Sequence, residues 1–200
     1  KAQGGRGVLM GCVGGVANAK VVVLGGGTAG QNAANVALGM GADVTILDTD
    51  LDKLRSTFWR YDNRVHQIVS SRLSIREQVL AADMVIGTVL IPGAKAPKLV
   101  TNELVSQMKP GSVLVDLASG PLGGNVAGSV PDSTTVTPGG VSVIGAGNLP
   151  SQMATGASSA YSRNAAALLT AIVSDGAITL ATTRSEEHTS ELQSPMYLVC

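Results

Sequence analysis

Aromatic residues are almost missing from this chain: its 200 residues hold three Tyr, one Trp and one Phe, although apolar residues as a whole make up 44%. A core of ordinary size must therefore come from Val, Leu, Ile and Ala, the composition of parallel strands covered by helices on both faces. Cysteine is as scarce. Cys12 lies in a glycine-rich stretch and Cys200 at the last position, which excludes a disulfide framework and a cysteine metal cluster and fits a reducing compartment. An excess of either charge is lacking too. The 14 basic residues balance the 14 acidic ones and do not cluster, so no polyanion surface and no nucleic-acid partner is expected. No apolar run reaches the length of a membrane span, and no charged-then-apolar leader opens the chain. The chain starts at Lys1 in mid-phrase, so a piece of a longer protein is expected.

Glycine, by contrast, is abundant, at 25 residues. The spacing Gly25, Gly27, Gly30 would be a weak signal by itself in such a background, but its context is specific. A short β-branched run, 21–24, precedes the turn; a small-residue helix, 30–40, follows it; a second apolar run, 43–48, ends on Asp48, 18 residues after Gly30. This is the pattern of a dinucleotide site. Gly25 permits the tight turn, Gly27 lets backbone approach a pyrophosphate, and Gly30 lets the helix pack on the strand, while the helix N-terminus offers N–H groups to phosphate. Asp48 can accept hydrogen bonds from the adenosine ribose hydroxyls. The alternative is an ordinary strand–helix turn whose glycines serve packing.

The rest of the chain alternates in the same way. Strands are expected at 65–70, 84–88 and 112–116, and helices at 50–61, with Asp50 as cap and Leu51, Leu54 and Phe58 on one face, at 74–82 and at 101–108. Pro92, Gly93 and Pro97 make 92–97 irregular. After Ala118 the texture changes to Gly, Pro, Ser and Thr, with room for a loop and a short strand at 134–137, another strand at 141–144, and a helix within 153–173 that has Leu168, Leu169 and Ile172 as its apolar end. The fold class read from this is α/β, a Rossmann-type doubly wound parallel sheet in a single-domain fragment: an interdomain connection at 1–19 and a domain at 20–180. Trp59 is read as packing at a helix end. His66, in an alternating strand and outside any metal spacing, is read as structural, and no metal site is expected.

Several phrases resemble one family. GGRGVLM at 4–10, LGMGA at 38–42, DKLR at 52–55, VLIPGAKAPKLV at 89–100 and MKPGSVLVDLA at 108–118 are similar to the NAD(H)-binding domain of alanine dehydrogenase. From Gly123 onward, GGN at 123–125, VP at 130–131, GNLPS at 147–151 and AYSRN at 160–164 more closely resemble the alpha subunit of proton-translocating nicotinamide nucleotide transhydrogenase, a homologous domain. The change fits either natural divergence or two joined pieces. Residues 184–194 resemble the translation of a sequencing adapter, so 184–200 is set aside as a non-native tail, and His188, Glu186, Glu187 and Cys200 are withdrawn as candidates for metal or catalytic roles.

The resemblance implies NAD as cofactor and assigns roles residue by residue. Asp48 would hold the adenosine ribose, with Lys53 and Ser70 near the adenosine end. Thr28 and Ala29 would join Gly25, Gly27 and Gly30 at the pyrophosphate. Val89, Leu90, Leu117 and Ala118 would line the nicotinamide side, and Asn148 and Leu149 would form a loop beside it. The plainer alternatives are a solvated charge for Lys53, a turn residue for Ser70, and strand-end core for Val89 and Leu90.

The resemblance also implies a second aspartate after the fifth strand, where this chain has Ser119-Gly120-Pro121. It places the family's substrate-binding lysine and catalytic histidine in another domain. Catalytic residues are therefore unknown, with Asn148 the nearest candidate and Asp116 also expected near the nicotinamide. The parent protein is expected to be a cytoplasmic, homo-oligomeric alanine dehydrogenase-like oxidoreductase that meets its small-molecule substrate through that other domain. The alternatives are a transhydrogenase component, which would be membrane-associated, and a non-enzymatic NAD-sensing module. The fragment alone is expected to be inactive.

Overall fold

The computed structural model of the protein describes residues 4–91, 94–174 and 177–178. They fall into two compact units, Lys1–Gly147 and Asn148–Cys200. The tail set aside at 184–200 lies outside the described residues, as do Pro92 and Gly93.

In the first unit β1 (Lys20–Leu24), β2 (Asp43–Asp48), β3 (His66–Val69), β4 (Met84–Gly87), β5 (Val113–Asp116), β6 (Ser133–Val136) and β7 (Ser142–Gly145) form one sheet of order β3-β2-β1-β4-β5-β7-β6. Every pairing is parallel except that of β6 with β7. Four helices connect the strands: α1 (Thr28–Gly39), α2 (Leu51–Arg60), α3 (Arg72–Ala81) and α4 (Asn102–Ser106). This is the α/β doubly wound sheet expected from the alternation.

Successive side chains of a strand point to opposite faces, and here both faces are buried. Val22, Leu24, Leu47, Val85, Leu114 and Val143 pack with Ile75 and Val79 of α3 and Leu104 and Val105 of α4. On the other face Val21, Val23, Val44 and Ile46 pack with Ala34 and Ala37 of α1, Leu54 of α2, and Tyr61. Burial on both sides explains why the central strands read as near-continuous aliphatic runs.

Helix boundaries follow their caps. Asp50 accepts from the N–H groups of Asp52 and Lys53 to start α2, and Ser71 and Ser74 form a reciprocal capping box at the start of α3. The sequence reading started α3 at Ser74; Ser71 starts it earlier, because Ser74 closes the box. The buried stripe of α2 also differs from expectation. Leu51 is 59% and Phe58 36% exposed, and the inner face is instead Leu54, Thr57 and, just beyond the helix, Tyr61. The Tyr61 hydroxyl donates to the Gln31 carbonyl at 2.6 Å, which turns that side of α2 toward α1. Trp59 is 72% exposed and packs edge-to-face on Phe58. His66 sits on an edge strand, exposed, with Nε2 3.3 Å from Asp43 Oδ1, and holds no core position.

The segment before β1 lies along the end of the sheet where the strands begin. Arg6 N–H donates to the Gly111 carbonyl, and Arg6 Nε lies 2.8 Å from Asp83 Oδ1, an acid that also receives the Lys20 N–H. The second unit comprises α5 (Leu149–Gln152), α6 (Ala154–Ile172), β8 (Val173–Ser174) and β9 (Ala177–Ile178). Leu168 and Leu169 of α6 are exposed.

Candidate cofactor site

The chain runs from β1 outward through β2 to β3 and then returns to β4 on the opposite side of β1. Loops leaving the carboxyl ends of β1 and β4 diverge at that point, which opens a crevice of the kind ligands use in doubly wound sheets. The glycine turn forms one wall. Gly25 adopts φ +109°, a left-handed conformation that side chains disfavour, and its N–H donates to the Leu47 carbonyl at 2.8 Å. A Cβ on Gly30 would overlap the Gly25 carbonyl, so only glycine lets α1 begin this close to the turn. Gly27 is different. A Cβ there would meet no protein atom within 4 Å.

The turn is therefore glycine at Gly30 for packing and at Gly25 for conformation, whereas at Gly27 the protein itself makes no steric demand. The space in front of Gly27 fits a group approaching from outside. Gly27 is also the N-cap of α1 and supplies no side-chain cap, while α2, α3 and α4 are capped by Asp50, Ser71 and Thr101.

Asp48 is half-buried at the end of β2. Its Oδ2 accepts the Gly26 N–H at 2.6 Å and its Oδ1 the Asp50 N–H at 2.9 Å, so the carboxylate is fixed against the turn by two backbone donors. A carboxylate has acceptor capacity for more than these. Around it, Ser70 donates its N–H to the Asp48 carbonyl at 2.8 Å, and Lys53 on α2 is exposed with its Nζ 3.6 Å from Asp50 Oδ2. The N–H groups of Lys53 and Asp52 hold the Asp50 carboxyl below its ordinary value, Lys53 contributing most. Thr28 is half-buried in the first turn of α1 and Ala29 is exposed beside it.

Two residues that sequence reasoning missed hold the turn. The Thr88 hydroxyl lies 2.9 Å from the Leu24 carbonyl oxygen and 3.0 Å from that of Gly25, to which it donates across the gap between β4 and β1. The Gln31 side chain donates to the Gly26 carbonyl at 2.9 Å and accepts from Arg60. Gln31 carried a readable signal, a polar side chain on the first turn after the last glycine of the motif. Thr88 carried none, because its partners are more than sixty residues away.

The other wall lies at the ends of β4 and β5. A cavity of about 210 Å³ there is lined by Leu90, Ala94, Ala96, Leu117, Ala118 and the 119–123 loop. It brings together three residues expected on the nicotinamide side, Leu90, Leu117 and Ala118; Val89 is not among its lining residues, and its Cγ2 lies 3.0 Å from where a Cβ on Gly25 would sit. Among the described residues, no ionisable side chain lines the cavity. Asp116, expected near this pocket, turns away from it: fully buried, its carboxylate accepts the N–H groups of Ala118 and Asn125 on Oδ1 and of Val126 on Oδ2. It organises the loop. Asn148 and Leu149 begin α5 in the second unit, where the Ser151 hydroxyl donates to Asn148 Oδ1 at 2.7 Å. A larger groove of about 440 Å³ lies at the opposite ends of β1, β2 and β3, lined by Lys20, Asp43, Thr45, His66 and Gln78 among others.

Sheet order, glycine turn and acid at the end of β2 define a Rossmann-type domain. The particular family is plain: the chain belongs to that described as alanine dehydrogenase/PNT, C-terminal domain, whose model matches residues 1–193. That match runs into the stretch read as an adapter. Over 118 residues the chain is 59% identical to alanine dehydrogenase of Mycobacterium tuberculosis, 59% of this chain and 32% of that protein, and 52% identical to that of Halomonas elongata over the same shares. The chain thus spans about a third of the length of these curated relatives. Among solved structures, an L-alanine dehydrogenase matches 74% of this chain and 42% of its own with a TM-score of 0.71 at 44% identity. A transhydrogenase from Sinorhizobium meliloti matches 88% and 55%, with a TM-score of 0.74 at 32% identity.

Proposed function

We propose that this chain is the NAD(H)-binding domain of an alanine dehydrogenase-like oxidoreductase, which interconverts L-alanine plus NAD with pyruvate, ammonia and NADH. The observation that carries it is the Asp48 carboxylate fixed on the Gly26 N–H beside a Gly27 whose front is open. In this reading Asp48 orients the adenosine ribose through its remaining lone pairs. Lys53 and Ser70 flank the adenosine. Gly27, Thr28 and Ala29 offer backbone to the pyrophosphate at the uncapped start of α1. Leu90, Leu117 and Ala118, together with Val89, exclude water from the nicotinamide side. The nicotinamide supplies the hydride chemistry, and the protein supplies binding and orientation. Residues that hold substrate belong to another domain of the parent protein, so none is assigned here. The assignment of 1–19 as an interdomain connection and 20–180 as the cofactor domain belongs to the same proposal, as do a cytoplasmic location and a homo-oligomeric parent.

A second reading keeps the cofactor and changes the parent to a transhydrogenase alpha subunit, in which hydride passes to NADP on a partner domain. The transhydrogenase structure matches the greater share of this chain, 88% against 74%, at the lower identity, 32% against 44%. Titration of the purified chain with NADH, followed by nicotinamide fluorescence and by calorimetry, tests the reading common to both. Saturable one-to-one binding is expected; no heat and no fluorescence change at millimolar NADH would refute it.

A further inference from the structure

Leu90, Ala94 and Ala96 on one wall of the 210 Å³ cavity and 117–123 on the other come from two loops. The Leu99 and Val100 N–H groups donate to the Asn125 carbonyl just past the cavity, and the buried side chain of the same residue adds a second tie. Asn125, fully buried, accepts the Val89 N–H on Oδ1 at 2.9 Å and donates from Nδ2 to the Val89 carbonyl at 2.9 Å and to the Pro97 carbonyl at 3.1 Å. One acceptor and both amide donors are thereby used. Val89 and Pro97 are the two ends of the excursion that carries Leu90, Ala94 and Ala96, so the amide closes that excursion at its base. The Asn125 N–H meanwhile donates to Asp116 Oδ1, which also gathers Ala118 and, through Oδ2, Val126.

The neighbours are shaped to receive this arrangement. Gly87 pairs with Asp116 across β4 and β5, and a Cβ at Gly87 would lie 3.0 Å from Asn125 Cβ and 3.1 Å from its Oδ1. A Cβ at Gly124 would collide with Asp116 Oδ2. Neither isostere fits: an aspartate would face two carbonyls with an acceptor, and a leucine of similar size would leave the Val89 N–H and two carbonyls without partners away from water.

We propose that Asn125, held by Asp116, is the positioning residue for the nicotinamide end of the site, setting the wall of Leu90, Ala94 and Ala96 against the Leu117–Ala118 wall before the cofactor arrives. The inference rests on the cofactor reading. It separates the two ends of the ligand, because Asn125 lies at β4 and β5 whereas Asp48 and the glycine turn lie at β1 and β2.

The test compares NADH with ADP-ribose, which keeps the adenosine and both phosphates and lacks the nicotinamide. For Asn125→Asp and, as an independent perturbation, Gly87→Ala, the ADP-ribose Kd should stay within about twofold of wild type. The NADH Kd should rise about tenfold, a loss of about 1.4 kcal/mol, with a smaller change in nicotinamide fluorescence on binding. Equal weakening of both ligands, or of neither, would overturn the proposal. Should neither variant fold, amide exchange in the unaltered chain decides: the Val89 N–H should be protected before NADH is added, and exchange as fast as in an open peptide until then would show that Asn125 sets nothing. An unaltered chain that binds neither ligand would instead refute the cofactor reading itself.

Discussion

The hydroxyl of Thr88 stands 3.0 Å from the carbonyl oxygen of Gly25 and 2.9 Å from that of Leu24, so the residue after β4 fastens the turn after β1. Replacing it with valine keeps the shape and removes the donor. Thr88→Val should lower stability by about 1–2 kcal/mol, the range for losing a partly buried hydrogen bond and leaving acceptors without it, and should weaken NADH binding. Denaturant unfolding and calorimetry check the two effects; unchanged stability would mean that the turn holds its shape unaided.

The turn glycines should separate by mutation. Gly27 has φ −72° and open space at its Cβ position, so Gly27→Val should fold with nearly wild-type stability while binding NADH at least tenfold more weakly. Gly30→Ala, which sets a methyl into the Gly25 carbonyl, should lose stability and binding together. A Gly27→Val protein with normal NADH affinity would return the motif to packing alone.

On the cofactor reading, Asp48 sets the nucleotide preference. Its carboxylate, fixed by two backbone donors, would meet a 2′-phosphate with like charge, and Thr49 follows it. NADH should bind at least tenfold more tightly than NADPH, from charge repulsion and from lost ribose hydrogen bonds. Equal affinities by fluorescence titration would remove Asp48 from the site.

Tyr61 gives the domain an alkaline limit. Burial raises its phenol above the ordinary 10.0, with Arg60 opposing in part. The group is thus more acidic in the unfolded chain, so its contribution to stability is complete below pH 10 and is lost as pH rises through the higher folded value. Urea midpoints at pH 8 and pH 11 should fall more for wild type than for Tyr61→Phe, which lacks the titrating group. Parallel losses would place the alkaline sensitivity elsewhere.

The chain should bind cofactor without turning it over. Among the described residues, no ionisable side chain lines the cavity at β4 and β5, and Asp116 is committed to loop amides. Hydride transfer needs a substrate held within about 3–3.5 Å of the reacting carbon. Pyruvate, ammonia and NADH mixed with saturating protein should show no oxidation above background; steady turnover would place catalytic groups on this chain after all.

The strands and the glycine turn were legible because their causes are local: β-branched runs, a positive φ at Gly25, an acid at a fixed distance. Leu51 and Phe58 were misplaced because the stripe of α2 is chosen by a partner, the Gln31 carbonyl that takes the Tyr61 hydroxyl, and no helical period carries that information. Asp116 is expected only near the nicotinamide, and its role in the loop is not legible because its partners lie up to ten residues further on, in a Gly-rich loop without readable periodicity. Asn125 and Thr88 were silent for the same reason at longer range. Of the fourteen cofactor residues expected, the glycines and Asp48 rest on chemistry visible in the sequence, while Leu90, Leu117 and Ala118 meet around a cavity that only the fold creates.

The bare N-terminus of α1 has a thermodynamic consequence. With glycine at its N-cap and no side chain to receive its first N–H groups, α1 is the one helix of α1–α4 that no side chain caps. On the cofactor reading, the missing acceptors arrive with the pyrophosphate, so the folded state is stabilised by RT ln(1 + [L]/Kd), about 2.7 kcal/mol at a hundredfold excess over Kd. The lifetime of this domain would then follow the nucleotide concentration around it, and a cell depleted of NAD would clear the protein faster than one that is replete.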